Sequence, residues 1–234
     1  MTSAQHPVTG QPIGSAVDPT PASLPEPVTL KGIHGSVVRL DPPRHGPDLW
    51  AEMQGHDEIW TYMSTYGPFP DGNSFAAWLT QREKLTDPYY YCVVDPRGRA
   101  LGLTTLMEIR TTMRSIEVGH IVYSPALQRT PLATEAQYLL GRYAFETLGY
   151  RRYEWKCNSL NMPSRRAALR YGFVFEGVLR QHMIAKGRNR DTAYFSMLDS
   201  EWPARKTAFE RWLAPENFDA AGRQKMGLAQ CTSS

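Results

Sequence analysis

The sequence predicts an α+β (or α/β) domain built on a mostly antiparallel central sheet. Hydrophobic residues make up 41% and charged residues 21% of the 234 residues, which is ordinary for a globular domain with a sizeable core. Strand-like runs bounded by Gly- and Pro-containing turns are interspersed with amphipathic helical patterns. The most regular unit, residues 116–173, reads as strand, loop, helix, strand and short helix. We expect the rest of the chain to pack around this unit.

The two ends of the chain differ from its centre. Residues 1–27 contain many Pro, Ser, Thr and Gly residues and show no apolar period, so we predict a disordered N-terminal arm. The domain itself is expected to span 28–214. Residues 215–234 are predicted to form a mobile C-terminal tail.

Between these ends the elements follow from local patterns. Runs rich in β-branched and aromatic residues predict strands at 28–32, 36–42, 89–95, 100–109, 116–124, 151–159, 173–186 and 190–199. Apolar residues at helical spacing predict helices at 47–54, 56–66, 75–85, 135–149 and 202–213, with a short one from 161. Asn73 or Ser74 is expected to cap the third of these helices, and the turn 187–189 to join the last two strands as an antiparallel pair.

Composition also limits the compartment and the partners. No apolar run is long enough to cross a membrane and no secretory signal is visible, so no membrane partner is expected. The three widely separated cysteines predict neither a disulfide framework nor a metal site, and they fit the cytoplasm. Residues 129–190 hold twelve Lys and Arg but four Glu and no Asp. That basic half could steer a polyanionic nucleotide cofactor, contact nucleic acid, or be a solvated face.

The loop of the central unit has the composition of a phosphate-binding turn. It reads Gln128, Arg129, Thr130, Pro131, Leu132, Ala133, and Thr134 follows near the start of a helix. The first turn of a helix offers unpaired N–H groups and about half a positive charge, which suits phosphate. Pro131 has no N–H to donate, although its fixed φ could start the helix. An ordinary strand-to-helix turn remains the alternative.

Polar residues flank both strands of the unit. Glu117 lies on an otherwise apolar strand, where a buried and unpaired carboxylate would be costly, so it must be paired, hydrated or functional. Strand alternation predicts Glu117, Gly119, Ile121 and Tyr123 on one face. Asn158, Asn161 and Ser164 follow the second strand, where helix capping is the alternative to a binding role.

This arrangement resembles the acyl-CoA-binding core of the GNAT acetyltransferases, most closely their RimJ/RimL-type branch. The resemblance rests on the loop 128–133, on Glu-Val-Gly-His at 117–120, and on Asn161-x-x-Ser164 followed by Gly172-Phe173. It implies a GNAT fold, with the sheet splayed between the strand carrying Glu117 and the strand ending at Asn158. It also implies acetyl-CoA as the acyl donor, direct attack by an amine in a ternary complex, and no metal.

The resemblance also implies a role for each position. Glu117 would be the base that takes the ammonium proton, and Ser164 would protonate the leaving thiolate, since Ala168 stands where many relatives have Tyr. The pyrophosphate would meet the loop, where we expect contacts from Gln128, Arg129, Thr130, Leu132, Ala133 and Thr134. Asn158 and Asn161 would contact the pantetheine arm, and an N–H near Val122 or Tyr123 would polarise the thioester carbonyl.

The acceptor pocket is less defined by the sequence. Trp60, Tyr62, Tyr66 and Phe69 are predicted to line it, although core packing is the alternative for Trp60. His120 and His182 are predicted to contact the acceptor and are the alternative bases. Small-molecule amines and protein N-terminal amines both remain open as acceptors, and a homodimer is possible.

Two other functions are consistent with the sequence. One is a CoA-binding or protein-interaction module without catalysis, motivated by Pro131 and the missing Tyr. The other is a nucleic-acid binder built on the basic half, which we rank last because no nucleic-acid-binding motif is present.

Overall fold

A computed structural model describes residues 3–232, and a ten-strand, five-helix architecture is assigned within them. The strands are β1 (Ser3–Gln5), β2 (Pro12–Gly14), β3 (Leu30–Lys31), β4 (Ser36–Arg39), β5 (Tyr89–Val94), β6 (Ala100–Arg110), β7 (Ser115–Tyr123), β8 (Arg152–Asn158), β9 (Val174–Ala185) and β10 (Arg188–Leu198). The helices are α1 (Pro42–Met53), α2 (Gly72–Glu83), α3 (Pro131–Arg142), α4 (Met162–Arg170) and α5 (Trp202–Leu213).

Eight strands form one mixed sheet in the order β3-β4-β5-β6-β7-β8-β10-β9. All its neighbours are antiparallel except β7 and β8, which are parallel because α3 crosses over between them. That parallel pairing joins Ser115–Val118 to Arg152–Trp155 and then stops, although β7 continues to Tyr123 and β8 to Asn158. The sheet therefore opens between these two strands, as the sequence predicted.

Hydrophobic layers cover both faces of the sheet. One cluster joins α3 and α5 to the sheet, and it contains the predicted apolar stripe of Ala136, Leu139, Leu140, Tyr143, Ala144 and Leu148. The other cluster joins α1 and α2 to the opposite face. Within the described residues, no helix is both long and apolar enough to cross a membrane.

A β-bulge in β7 changes the predicted alternation. Val122 pairs with Leu103 and Gly119 with Thr105, so His120 and Ile121 together face the single residue Thr104. His120 also has a positive φ of 46°. The extra residue reverses the parity of the strand, as bulges do. The prediction that Ile121 and Tyr123 share the face of Glu117 is therefore wrong, because both pack with Ile116 and Val118 in the α3 cluster.

Three helices begin earlier than predicted. Helix α2 starts at Gly72, and its cap is Asp71 and not Asn73 or Ser74. Helix α1 starts at Pro42 behind the Asp41 cap, and Pro47, the predicted first residue, lies inside it. Helix α3 starts at Pro131 rather than at residue 135. In α1 and α3 a proline occupies the first helical position, where its missing N–H has no intrahelical partner to lose. The region 56–66 contains only a short 3₁₀ turn, Asp57–Trp60.

A buried carboxylate fastens the start of the sheet to α3. Glu135 is 2% exposed, and its two carboxylate oxygens accept hydrogen bonds from the N–H groups of Ile33 and His34 at 2.6 and 2.7 Å. Gly32 lies against the same carboxylate: a Cβ there would come within 2.2 Å of the Glu135 Cδ. The β3–β4 turn therefore needs glycine at position 32.

The division into 1–27, 28–214 and 215–234 stays a prediction, but hydrogen bonds cross both proposed boundaries. The N–H of Ala22 donates to Thr111 O and that of Ser23 to Leu148 O, at 3.0 and 2.9 Å. At the other end, the side chain of Asn217 donates to Trp212 O at 2.9 Å. Leu228 and Cys231 are also buried. Residues on both sides of the central domain thus pack against it.

Candidate active site

The opening between β7 and β8 leads into a cavity of about 460 Å³. Its walls come from Met107, Glu108 and Arg110 of β6, residues 117–121 of β7, 155–158 of β8, the start of α4, the β9–β10 hairpin, Ile59 and residues 62–64. Beyond Val118 the β7 edge has no β8 partner, so the backbone groups directed to that edge are available to a ligand. Val122 and Tyr123 lie on this stretch, outside the cavity lining.

Glu117 and Lys156 form a buried ion pair in the cavity wall. Glu117 is 5% exposed, and its Oε2 lies 2.8 Å from the Lys156 Nζ. The same Nζ is 3.2 Å from Glu154 Oε2. Burial raises the pKa of Glu117 to about 7, even though Lys156 acts to lower it. Glu117 is therefore the carboxylate in this wall that can exchange a proton near neutral pH.

Glu154 behaves differently because it has more cationic partners. The Arg152 Nε donates to its Oε1 at 2.7 Å, and Arg110 lies 3.5 Å from its Oε2. Burial acts to raise the pKa of Glu154, but hydrogen bonds from Arg152 and Lys156 outweigh it and leave the pKa below its usual value. Two adjacent carboxylates thus have pKa values displaced in opposite directions, the pattern that separates a base from a permanently charged group.

His120 is a weaker candidate for the base. Its Nδ1 lies 2.9 Å from the Tyr90 hydroxyl, and its ring is edge-on to Tyr66. Burial, reinforced by the charges of Arg82 and Arg190, lowers the pKa of His120 to about 4. At neutral pH the imidazole is uncharged but weakly basic, so it suits contact with the acceptor better than removal of its proton.

The residues after β8 line the same cavity. Asn161 caps α4, its Oδ1 accepting from Ser164 N at 3.1 Å, so the capping reading holds for Asn161. The Ser164 hydroxyl is not a cap: it accepts from the Trp155 indole N–H at 3.0 Å. The Asn158 Oδ1 accepts from Leu160 N at 3.0 Å and shapes the turn between strand and helix. Asn158, Asn161 and Ser164 thus all line the cavity, and their predicted roles toward acetyl-CoA stay predictions.

The predicted phosphate-binding loop lies at the N-terminus of α3, apart from the cavity lining. Thr130 is the N-cap, its hydroxyl accepting from Ala133 N at 3.2 Å and donating to Leu127 O at 2.7 Å. Arg129 has a positive φ of 62°, which turns the chain into the helix. The Gln128 side chain donates to Tyr123 O, and the Thr134 hydroxyl accepts from Arg170. Pro131 at the first helical position does not interrupt this terminus.

The predicted acceptor-binding residues separate into two groups. Tyr62, His120 and His182 line the cavity. Tyr62 donates its hydroxyl to Leu160 O at 3.3 Å, and His182 Nδ1 lies 3.0 Å from the Thr192 hydroxyl. The structure does not bring Trp60, Tyr66 and Phe69 to the cavity lining. Their rings pack edge-on or tilted against one another and against Trp78 in the core behind it. Burial of the ring faces, which costs little and fills volume, explains their position.

Sequence reasoning missed three cations in the cavity wall, Arg110, Lys156 and Arg190. Lys156 belongs to an alternating charged series, Arg152, Glu154 and Lys156, which could have been noticed because residues two apart share a strand face. Arg190 gave no such signal. Its guanidinium contacts the Ser64 hydroxyl, and the two residues are 126 positions apart in the chain.

Comparisons with known proteins agree with this geometry. The family model for the acetyltransferase (GNAT) domain matches residues 38–174. A crystal structure of a GCN5-related N-acetyltransferase from Brucella melitensis is 45% identical, with a TM-score of 0.89, covering 92% of this chain and 98% of that one. The structure of a GNAT-family protein from Chromobacterium violaceum ATCC 12472, described as a probable acetyltransferase, is 43% identical with a TM-score of 0.76, covering 82% of this chain and 99% of that one.

A curated relative adds a likeness over a shorter region. YdaF of Bacillus subtilis (strain 168), whose name describes it provisionally as a ribosomal N-acetyltransferase, is 29% identical over 109 residues. The match covers 47% of this chain and 59% of that protein, which is less than two thirds of its length.

Proposed function

The chain belongs to the GNAT acetyltransferase family and is an acyltransferase with the GNAT fold, and on this premise we propose that it acetylates a primary amine by direct attack on acetyl-CoA in a ternary complex. The observation that carries the proposal is the buried carboxylate of Glu117, which lines the cavity at the opening between β7 and β8. The similarity to YdaF supports placing the chain in the RimJ/RimL-type branch.

In this proposal Glu117 is the general base. An amine acceptor arrives as an ammonium ion and must lose a proton before its nitrogen can attack. With a pKa of about 7 and a position in the cavity wall, Glu117 can hold that proton directly or through one water. Lys156, 2.8 Å away, fixes the carboxylate in place and is therefore a positioning residue.

The residues present fit acetyl-CoA along the opening. The first turn of α3 and the Thr130 cap would hold the pyrophosphate, and Asn158 and Asn161 would contact the pantetheine arm. When bound, acetyl-CoA supplies an activated thioester carbonyl. Backbone N–H groups of the unpaired β7 edge would stabilise the developing negative charge. The Ser164 hydroxyl, fixed by the indole of Trp155, would return a proton to the leaving sulfur.

Pro131 does not favour the alternative of a non-catalytic CoA-binding module. It occupies the first position of α3, where the N–H it lacks would not have joined the helix. The N–H groups that follow it remain at the helix terminus. We also propose a cytoplasmic location, because Cys92, Cys157 and Cys231 are all free thiols.

Calorimetric titration with acetyl-CoA and with CoA tests whether the protein binds the proposed acyl donor. We expect one-to-one binding of both, and a Thr130→Ala variant that binds more weakly. Release of CoA thiol with a panel of amines then tests transfer. Acetyl-CoA binding without amine-dependent thiol release would support the non-catalytic CoA-binding module over the acetyltransferase. No binding at millimolar ligand would refute both hypotheses.

A further inference from the structure

Three cationic side chains line the cavity, and two of them already have carboxylate partners. Lys156 contacts Glu117 and Glu154, and Arg110 contacts Glu154 and Glu108. The third, Arg190, makes no ion pair with any carboxylate in the part of the chain that the structure describes. Among residues 3–232, Arg190 is thus a charged side chain in the cavity wall with no carboxylate in ion-pair contact.

The immediate surroundings of Arg190 leave part of the guanidinium unsatisfied. Its Nη1 donates to the Ser64 hydroxyl, while its Nε is buried and has no hydrogen-bond partner among residues 3–232. An unpaired buried donor on a charged group costs free energy, and a counter-charge that stabilises the guanidinium as a whole offsets part of that cost. Burial lowers the pKa of Arg190, and the nearby charge of Glu117 only partly opposes this. Arg190 nevertheless stays charged at neutral pH, because guanidinium groups keep their proton in proteins.

The backbone around Arg190 is built to hold it in place. Arg190 pairs with Met183 across the β9–β10 hairpin, and the register then shifts so that Thr192 pairs with Leu179. This bulge is fixed by Asp191, whose Oδ1 accepts from Gln181 N at 2.7 Å. Asp191 is also the carboxylate next to Arg190 in sequence, so its use in the bulge removes it as a counter-ion. Bulges that aim a side chain are common beside active sites.

Resting on the proposed function, we propose that Arg190 binds a carboxylate carried by the acceptor, so that the acceptor is a small compound with both a primary amine and a carboxylate. The planar guanidinium fork matches the two oxygens of a carboxylate, and the pairing is strong where water is excluded. Glu117 and Arg190 line one cavity, so one small molecule could present its ammonium to the first and its carboxylate to the second. A polyamine would place a second cation beside Arg190, which is unfavourable.

The test compares each amino acid in a series, from glycine to longer ω-amino acids, with its own amide. The amide keeps the amine and the size but loses the negative charge. We expect the wild type to prefer the best acid over its amide by at least tenfold in kcat/KM. In Arg190→Gln this preference should disappear through a higher KM for the acid, while kcat/KM for the amide stays within about threefold, in line with losing one charged contact. Arg190→Lys should retain part of the preference.

Two control variants separate binding from a structural role. Ser64→Ala removes the hydroxyl that Arg190 contacts, so a loss of preference equal to that of Arg190→Gln would mean that Arg190 merely fixes the segment around Ser64. Arg188→Gln removes an exposed charge on the same hairpin and should leave the preference intact.

The outcomes distinguish this inference from the function beneath it. Thiol release with amides or polyamines at least as fast as with acids overturns the carboxylate site but keeps the acetyltransferase. No thiol release with any amine, despite acetyl-CoA binding, overturns the proposed function itself.

Discussion

The substitution Glu117→Gln separates the proposed base from the rest of the site, because it keeps the shape of the side chain and removes its ionisation. Burial raises the pKa of Glu117 from 4.5 to about 7. A shift of that size corresponds to about 3 kcal/mol by which the folded protein disfavours the ionised form. For activity, the base must be ionised. We therefore expect wild-type kcat/KM to rise about tenfold per pH unit below pH 7 and to level off above it.

In Glu117→Gln the rise of kcat/KM with pH below pH 7 should disappear, and kcat/KM at pH 8 should fall by about 10² to 10⁴. Thiol release at saturating acetyl-CoA across pH 5.5–9 measures both effects. Glu154→Gln is the matched control. The Glu154 charge helps to raise the pKa of Glu117, so without it the rise of kcat/KM should remain but occur at lower pH. If kcat/KM of Glu117→Gln still rises with a midpoint near pH 7 and turnover is intact, the base is another group.

The same substitution has a thermodynamic consequence that does not depend on turnover. A group whose folded-state pKa is raised stabilises the fold fully below its unfolded-state pKa, and this contribution is lost as the pH rises through the folded-state value. Wild type should therefore lose about 3 kcal/mol of unfolding free energy relative to Glu117→Gln between about pH 4.5 and pH 7.5. Urea unfolding of both proteins at pH 5 and pH 8 measures this difference. If the difference in unfolding free energy between the two proteins is the same at pH 5 and pH 8, the raised pKa of Glu117 is refuted.

Three further substitutions test the supports of the site. Gly32→Ala should lower the unfolding free energy by about 1–3 kcal/mol because its Cβ would meet the Glu135 carboxylate, whereas Gly14→Ala, with nothing near it, should be close to neutral in urea unfolding. Thr130→Ala should cost about 1 kcal/mol of stability through loss of the helix cap, and should raise the calorimetric Kd for acetyl-CoA. Ser164→Ala should lower turnover and cost about 1–3 kcal/mol by leaving an indole N–H without its acceptor; lost stability with normal turnover would make the hydroxyl purely structural.

Local patterns sufficed for the parts of the fold that local physics decides. The predicted bounds of α5 match the structure, and the strand positions agree to within a few residues at their ends. The opening between β7 and β8 was predictable from the resemblance, since the unit around residues 116–173 carries its motifs. The sequence leaves the start of α3 open, because Pro131 suits both a loop and the first position of a helix.

The bulge in β7 shows where a periodicity argument fails. The alternation argument assumes that each residue of a strand faces one residue of its neighbour. No feature of the sequence around His120 indicates an extra residue. The bulge is visible only in the pairing of β7 with β6, where two residues, His120 and Ile121, face Thr104. Sequence reasoning cannot align the two strands residue by residue. The error moved Ile121 and Tyr123 to the wrong face but left Glu117 correctly placed, since Glu117 precedes the bulge.

The charge of the site depends on a register that no local pattern contains. In the parallel pairing of β7 with β8, Glu117 lies directly opposite Glu154. Two carboxylates in that arrangement repel each other unless a cation lies between them. Lys156, two residues further along the same face of β8, supplies it, with its Nζ 2.8 Å from one carboxylate and 3.2 Å from the other. Burial acts to raise the pKa of both carboxylates. Arg152 and Lys156 together outweigh it at Glu154, whereas Lys156 alone does not outweigh it at Glu117, so Glu117 is the carboxylate able to take up a proton near pH 7.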